Sequence, residues 1–559
     1  QSQWLDFQKQ QLERMQGGSA HYTDPEYWLE QAETVFKALP LGDAEAWQAN
    51  LAQWRALVGG TMPTGDSAAM LHDKRFADPR WNENPFFTAL HQSYLLLSER
   101  LTALGDEIPG LPDAEREALG FRIRMLLDAL SPANFPLTNP VALDKALETK
   151  GESLVKGMEH LLADFQRGQL THTDSHAFRL GENIAVTPGK VVHETPLYQL
   201  IQYSPVTEQV LETPLVIFPP WINRFYILDL NPAKSFVKWA VEQGITVFMV
   251  SWKSADAAMA DVVWDDYIAA QIDAFDTIRT RLNVPQVHAI GYCVAGTTLA
   301  ATLAVLARRG EADKVASATF FTAQVDFTEP GDLRFFIDDA QLEVIRQLSP
   351  DGYLDGRYMA ATFNLLRGDD LIWNYVRKNY LLGEDYPAFD LLHWNVDVTN
   401  LPVKWHCDYL RDLYRDNRLV EPDSLSALGV PIDLHRIATP CYIQAGREDH
   451  IAPPQSVWKL THHLAGPWTF VLAGSGHIAG VVNPPASGKY QFWTNPDATG
   501  SLDEFVAGAS ETRGSWWPHW AEWLREQAPA MVKANGKRKP GGKGDTVIED
   551  APGRYVRTR

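Results

Sequence analysis

The chain has 559 residues, of which 45% are hydrophobic and 21% charged, and its formal net charge is −20. This length predicts two or three domains with a large apolar core, and the negative charge argues against nucleic acid as a general partner. A mean hydropathy of −0.24 and the absence of any run of about 18 apolar residues argue against a membrane span.

Residues 1–180 are predicted to form an N-terminal helical domain. Apolar residues recur at three- and four-residue spacing in 90–104, 115–131 and 151–168, which is the pattern of amphipathic helices. The first ten residues, QSQWLDFQKQ, contain no apolar signal core. We therefore expect no secretion signal.

From about residue 185 the pattern changes to short apolar blocks separated by helical stretches. KVVHET and YQLIQY alternate as a hairpin does. Six near-continuous apolar runs follow: PLVIFPP (214–220), ITVFMVSW (245–252), VHAIGY (287–292), SATFFTAQV (317–325), PCYIQAG (440–446) and WTFVLAG (468–474). Strands buried on both faces of a parallel sheet have this composition. The alternation predicts a doubly wound α/β core in two parts, 181–325 and 439–530.

Residues 326–438 separate two predicted strands and are too many for a structureless loop. This insertion is rich in large aromatic residues, which indicates a small folded subdomain. The alternative is that some of them form an apolar lid that excludes water from an active site.

Farther on, GSWWPHWAEWL (514–524) is expected to pack on the body, and the basic, glycine-rich composition of 531–559 predicts a flexible tail.

The sequence GYCVAG begins at Gly291, where a predicted strand ends. Hydrolases expose a nucleophilic serine on a strand–turn–helix motif written G-x-S-x-G. Here Cys293 takes the serine position and Ala295 the second glycine position. Alone the motif is a weak signal, because a buried structural cysteine has the same pattern. The Ala295 position opens a helix and needs no positive φ, so we expect activity to survive Ala295→Gly.

Two downstream residues strengthen the motif. Asp449 and His477 follow Cys293 in the order nucleophile, acid, histidine, and both come just after predicted strands, where open α/β sheets bind ligands. We expect Asp449 to orient His477 and His477 to take a proton from Cys293 or from an incoming hydroxyl. His450 could compete as the base, although a supporting or structural role is favoured.

An oxyanion hole needs two backbone N–H groups. Val294, directly after the nucleophile, supplies one, and the loop after PLVIFPP supplies the other from Trp221 or Ile222. The sequence does not separate these two, and we assign Ile222 to the hole. The remaining candidates for substrate binding are Trp221, Asn223, Asp229 and Ala479, with a cap or turn role as the alternative for Asn223 and Asp229.

The other two cysteines, Cys407 and Cys441, are predicted to be small buried hydrophobic residues. The three cysteines form no C-x-x-C pair, which predicts neither a zinc site nor a disulfide framework. This is typical of a reducing cytoplasm.

Many long stretches are similar to one family: TPGKVVHETPLYQLIQYSP, PPWINRFYILDL, VSWKSADAAMADVVWDDYI, GYCVAGT, FDLLHWNVDVTNLP, GREDHIAP, SGHIAGVVNPPA, GSWWP and APGRYVR. From about residue 85 onward the chain resembles the class I polyhydroxyalkanoate synthases. Their pattern usually has glycine at the position of Ala295.

The resemblance implies a helical N-terminal domain, an α/β-hydrolase domain with a mobile cap, and an active homodimer. It implies polymerisation of (R)-3-hydroxyacyl-CoA, mostly with short chains, into a storage polyester in cytoplasmic granules. It carries over Cys293 as the acylated nucleophile, His477 as general base and Asp449 as its partner. No metal or other cofactor is implied.

Sulfur suits this chemistry, because acyl-CoA is a thioester and transfer to cysteine keeps the acyl group activated. Two rival functions remain open. One is a cysteine-nucleophile esterase or intracellular polyester depolymerase on the same scaffold. The other is a non-catalytic protein of the granule surface.

Overall fold

The computed structural model describes residues 73–559, apart from Pro109 and Thr499. Its described residues divide into two compact units. The first contains the residues up to Glu159 and Val376–Glu384, and the second contains His160–Tyr375 and Asp385–Arg559. The first unit thus ends before the predicted boundary at residue 180 and includes a short piece of the insertion. The predicted helical segment before residue 73 lies outside the described residues.

The first unit is helical, as predicted. Asn84 and Asn139 accept hydrogen bonds from backbone N–H groups of the helices that follow them, and Pro85 and Pro140 occupy the first turns. A small core forms around Trp81. The helices are α1 (Arg80–Glu83), α2 (Pro85–Glu107), α3 (Asp113–Leu130), α4 (Pro140–Glu148) and α5 (Glu152–Arg167), the last of which continues into the second unit.

The second unit is organised by one large sheet. In chain order its strands and the short strands of smaller sheets are β1 (Gly189–Glu194), β2 (Tyr198–Tyr203), β3 (Gln209–Leu211), β4 (Leu215–Phe218), β5 (Val247–Trp252), β6 (Val287–Tyr292), β7 (Val315–Phe321), β8 (Tyr353–Leu354), β9 (Leu401–Pro402), β10 (Ser426–Ala427), β11 (Val430–Pro431), β12 (Cys441–Gly446), β13 (Trp468–Ala473), β14 (Gln491–Thr494), β15 (Ser510–Arg513), β16 (Met531–Lys533) and β17 (Glu549–Asp550).

The main sheet has the order β15-β14-β13-β12-β7-β6-β4-β5-β2-β1-β17 among the described residues. The central strands β13, β12, β7, β6, β4 and β5 are parallel. The flanking strands are antiparallel. All six apolar runs predicted from the sequence are these central strands, and KVVHET and YQLIQY form the predicted hairpin. The parallel strands end at one edge, where the site is built.

Helices cover the sheet and form much of the insertion. They are α6 (Phe236–Glu242), α7 (Trp264–Leu282), α8 (Val294–Arg309), α9 (Asp339–Gln347), α10 (Gly356–Leu366), α11 (Asp390–Val396), α12 (Val403–Tyr409), α13 (Pro454–Trp458), α14 (Leu502–Gly508) and α15 (Trp517–Gln527). The insertion between β7 and β12 is therefore folded, as predicted, and its Trp405 is fully buried. None of the described helices is both long and apolar enough to cross a membrane.

The structure corrects the prediction of a flexible tail over 531–559. β16 pairs with β3, and β17 pairs with the edge strand β1. Arg281 and Asp545 form an ion pair at 2.6 Å whose side chains are 10% and 6% exposed. A glycine-rich, basic composition does not reveal these contacts, because each partner lies hundreds of residues earlier in the chain.

Arg538 gives this segment its strongest anchor. Its side chain is buried and donates hydrogen bonds to the carbonyl groups of Leu211 and Glu212 and to the Thr246 hydroxyl, at 3.1, 2.7 and 3.3 Å. One guanidinium thus joins the tail to two segments of the core.

We expect Arg538→Ala to lower the free energy of unfolding by about 2–3 kcal/mol, because buried carbonyl groups lose a charged donor. Urea unfolding followed by circular dichroism measures the change. The matched control is Lys539→Ala, whose side chain is exposed in the same segment. An equal, small effect of both variants would mean that the tail contributes little to stability.

Candidate active site

Cys293 lies on a sharp turn between β6 and α8. Its backbone has φ 53° and ψ −127°, and its N–H donates to the Phe321 carbonyl at 2.9 Å. A non-glycine residue held at positive φ costs about 1–3 kcal/mol and persists only where its surroundings enforce it. Cys293 is half-buried and is a free thiol. The strand–turn–helix geometry predicted from GYCVAG is therefore present.

Two glycines allow the turn to close. A Cβ added to Gly291 would lie 2.5 Å from the Gly296 Cα, and one added to Gly296 would lie 2.4 Å from the Ala323 Cβ. Ala295 sits in the first turn of α8 and is not among the residues with positive φ. The second glycine position of the motif thus accepts the methyl group of Ala295. The shortest contact of an added Cβ falls one residue later, at Gly296.

Asp449 and His477 lie at the same edge of the sheet. His477 Nδ1 is 2.7 Å from Asp449 Oδ2. The other carboxylate oxygen accepts hydrogen bonds from the backbone N–H groups of Ile451 and Ala452, both at 2.9 Å. Because both oxygens are engaged, the carboxylate is fixed, and it holds the imidazole with Nε2 away from it.

The charges around His477 favour its protonated form. Burial lowers the pKa of the imidazole, but the opposing charges of Asp449 and Cys293 and hydrogen bonds to both side chains raise it to about 10. The structure thus brings the three predicted triad residues together. It gives them the electrostatics of a cysteine–histidine pair in which the histidine can hold the proton.

Three side chains to which the sequence analysis gave no role at the site support the histidine loop. The Tyr292 hydroxyl donates to the His477 carbonyl at 3.1 Å. The indole N–H groups of Trp516 and Trp517 donate to the carbonyls of Gly480 and Val481 at 2.7 and 2.9 Å. The sequence predicted only that the tryptophan-rich segment packs on the body. Its role in holding this loop depends on contacts that no local pattern shows.

The two predicted oxyanion donors occupy suitable elements. Val294 is the first residue of α8, so its N–H has no carbonyl partner within the helix. Ile222 lies in the loop after β4, the strand that pairs directly with β6. Trp221 precedes it, and its ring stacks on Tyr267 at 3.9 Å within an aromatic cluster. The pairing of Val294 with Ile222 stays a prediction.

The other predicted substrate-binding residues have different surroundings. Asp229 is buried and accepts hydrogen bonds from the Thr187 and Ser235 hydroxyl groups, and burial raises its pKa to about 6. These bonds give it a structural task. Asn223 forms a backbone bridge with Val398 of the insertion. Ala479 is half-buried in the histidine loop, two residues after His477.

The loop after β4 also anchors the insertion. The Thr399 hydroxyl donates to the Trp221 carbonyl at 2.5 Å, and the Trp394 indole donates to the Arg224 carbonyl at 2.7 Å. Arg224 also pairs with Asp397, and both side chains are buried. The loop assigned to the oxyanion hole therefore also holds residues 394–399 of the insertion.

The alternatives at Cys407, Cys441 and His450 are less suited to catalysis. Burial raises the pKa of both Cys407 and Cys441, and the Cys441 thiol donates to the Thr439 carbonyl. Burial lowers the pKa of His450. Among the described contacts, Asp449 Oδ2 is the partner of His477 and not of the neighbouring His450.

The central strands are parallel, and Cys293, Asp449 and His477 lie at the same edge of the sheet. This arrangement defines an enzyme with the α/β hydrolase fold. The family model for this fold matches residues 202–484. The model described as "Poly-beta-hydroxybutyrate polymerase (PhaC) N-terminus" matches residues 72–240.

Curated relatives are similar over nearly the whole chain. The poly(3-hydroxyalkanoate) polymerase subunit PhaC of Rhizobium meliloti is 44% identical, over 96% of this chain and 87% of the relative. The poly(3-hydroxyalkanoate) polymerase of Methylorubrum extorquens is 44% identical over 96% and 88%. The PhaC subunit of Cupriavidus necator is 44% identical over 91% and 86%. The chain belongs to the poly(3-hydroxyalkanoate) polymerase family, which confirms the resemblance found in the sequence.

Gly296→Ala is expected to reduce kcat by about a hundredfold, because the added methyl group must push the turn out of its reactive geometry. The matched variant Ala295→Gly should keep kcat within about a factor of three, since that position needs no special backbone conformation. CoA release from 3-hydroxybutyryl-CoA measures both. If the two variants behave alike, the close approach at Gly296 does not shape the turn.

His477 is expected to keep both ring protons well above neutral pH. Asp449→Asn removes the negative charge that favours the imidazolium, so the titration midpoint should fall. Nitrogen-15 NMR of histidine-labelled protein measures it, and the spectrum of His477→Gln identifies the signal. Asp433→Asn, beside the exposed His435, serves as control and should leave the midpoint unchanged. A wild-type midpoint below about pH 7 contradicts the charge arrangement.

Proposed function

We propose that this chain polymerises (R)-3-hydroxyacyl-CoA, mostly with short side chains, into a polyester through an acyl group carried on Cys293. The observation that carries the proposal is the alignment of Asp449, His477 and Cys293 at the turn between β6 and α8. Membership of the polymerase family supports the substrate class.

In the first step Cys293 becomes acylated. The proton of its thiol is already held on His477, and the sulfur attacks the thioester carbonyl. The N–H groups of Val294 and Ile222 stabilise the negative oxygen of the tetrahedral intermediate. The intermediate collapses as the carbon–sulfur bond to CoA breaks. His477 then gives its proton to the departing CoA sulfur, and an acyl thioester remains on Cys293.

In the second step the chain grows. The 3-hydroxyl group of a second acyl unit attacks the carbonyl on Cys293, and neutral His477 takes the hydroxyl proton. A new ester bond forms as the carbon–sulfur bond to Cys293 breaks, and the proton on His477 stays beside the freed sulfur. The lengthened chain is now the thioester of the second unit's CoA, and it acylates Cys293 again by the first step, which releases that CoA. Because both carboxylate oxygens of Asp449 are engaged, it acts through His477 in this scheme.

A polymerase must also favour an alcohol over water as the attacking group. The aromatic side chains of the insertion suit this need. Tyr409 and Tyr414 are buried, and both lie close enough to interact electrostatically with Cys293. Phe327 packs on Tyr414 with ring centroids 4.6 Å apart. A largely apolar cover of this kind lowers the access of bulk water to the thioester.

The finer features implied by the family belong to the same proposal. The active form is a homodimer, and it works in the cytoplasm at the surface of the polyester granules that it produces. A water-insoluble product that returns to Cys293 after each addition keeps the enzyme at that surface.

The test is to incubate the purified chain with 3-hydroxybutyryl-CoA, to measure free CoA, and to weigh the polymer. Wild type is expected to release CoA in proportion to polymer. Cys293→Ala should lower both by at least about a thousandfold, because the acyl carrier is lost.

The other outcomes separate the rivals. Free 3-hydroxybutyrate without polymer would assign an esterase or depolymerase. Failure of wild type to release CoA would favour a non-catalytic granule protein. Polymer formation by Cys293→Ala would show that Cys293 is not the nucleophile.

A further inference from the structure

Gln324 lies in the loop after β7 and is only 5% exposed. Its backbone carbonyl and both polar atoms of its side chain take part in hydrogen bonds to three other segments. The mechanism above does not use it. Each of the three segments, however, holds a part of the proposed active site.

The first contact is to the nucleophile helix. The Thr297 hydroxyl donates to the Gln324 carbonyl at 2.7 Å. Thr297 is four residues after Cys293, in the first turns of α8. The preceding Ala323 fills the space in front of Gly296, where an added Cβ would lie 2.4 Å from its own Cβ. The loop of Gln324 therefore packs directly on the turn that exposes the thiol.

The second contact is to the segment that follows Asp449. The Ser456 hydroxyl lies 2.9 Å from Gln324 Oε1 and 2.6 Å from the Asp326 carbonyl, so it can donate to either. Ser456 is fully buried in α13, the helix that begins five residues after Asp449. Its position fixes the loop in which the carboxylate is held.

The third contact is to the insertion. Gln324 Nε2 donates to the Tyr414 hydroxyl at 3.1 Å. Tyr414 packs against Phe327 and Tyr409, at centroid distances of 4.6 and 5.6 Å. Both tyrosines lie in the part of the insertion that interacts electrostatically with Cys293.

We propose that Gln324 is a positioning residue for acyl transfer, which holds the nucleophile helix, the Asp449 loop and the aromatic part of the insertion in one arrangement. The inference rests on the proposed function, since it assigns a role in the same reaction. The side-chain amide joins two of these segments, and the backbone carbonyl joins the third. A buried amide holds its segments together only while both of its polar atoms are paired. The loss of one contact is therefore expected to loosen the other two.

The test compares three variants with wild type in the CoA-release assay. Gln324→Met keeps the side-chain volume and removes both side-chain hydrogen bonds. Tyr414→Phe removes the bond from Gln324 to the insertion together with the hydrogen bond between Tyr414 and Tyr409. Ser456→Ala removes the bond beside Asp449 together with the bond to the Asp326 carbonyl. We expect Gln324→Met to lower kcat by about tenfold to a hundredfold with a smaller change in KM, because displaced catalytic groups slow the reaction more than binding.

The double variant Gln324→Met/Tyr414→Phe distinguishes a connected unit from separate contacts. It is expected to lose little more kcat than Gln324→Met alone, since residues that act together are not additive. Gln202→Met is the matched control. Gln202 lies in the flanking strand β2 and is fully buried. Its side-chain amide donates to the Lys537 carbonyl and accepts a hydrogen bond from Arg281. This control should lower the unfolding midpoint and leave kcat unchanged.

The proposal is overturned if Gln324→Met keeps kcat within about twofold of wild type while its unfolding midpoint falls as in Gln202→Met. If Gln324→Met does not fold, unchanged kcat values in both Tyr414→Phe and Ser456→Ala overturn it instead. The proposed function fails by different results, namely no CoA release by wild type or polymer formation by Cys293→Ala.

Discussion

The close approach of β6 and α8 is the constraint on which the site depends. Gly291 and Gly296 let the strand and the helix meet at a distance that no Cβ would permit. Cys293 is thereby forced to a positive φ, with its side chain half-buried at the edge of the sheet. The backbone strain at this residue is sustained by the surrounding core, since β6 is wholly buried between β4 and β7.

The other two residues of the proposed triad are brought to this turn by the parallel order of the sheet. β12 and β13 end at the same edge as β6, so the loops that follow them place Asp449 and His477 beside Cys293. Precision comes from hydrogen bonds to those loops. Two backbone N–H groups fix Asp449, while the indoles of Trp516 and Trp517 hold the chain just after His477. The sheet supplies proximity, and these bonds supply orientation.

In the proposed reaction the insertion has the task of excluding water. It is attached to the loop after β4 through Arg224, Trp221 and their partners. Tyr409 and Tyr414 interact electrostatically with Cys293, and Tyr414 also bonds to Gln324. An acyl thioester that must wait for an alcohol needs such a cover, because water would otherwise hydrolyse it. The proposed reaction needs an acyl thioester that reacts with an alcohol and not with water. The thiol, the raised pKa of His477 and the aromatic cover all serve this need.

The sequence by itself determined the fold class and the six central strands, and it indicated the three residues of the proposed triad. Each of these has a local signal: an apolar run of strand length, a small-residue turn, or a polar residue just after a strand. The tail after residue 530, the tryptophan contacts to the histidine loop and the hydrogen bonds of Gln324 were decided only by the tertiary structure. Arg538 and Gln324 bond to partners far away in the chain, and a hydrogen bond between distant segments leaves no periodicity or motif in the sequence around either partner.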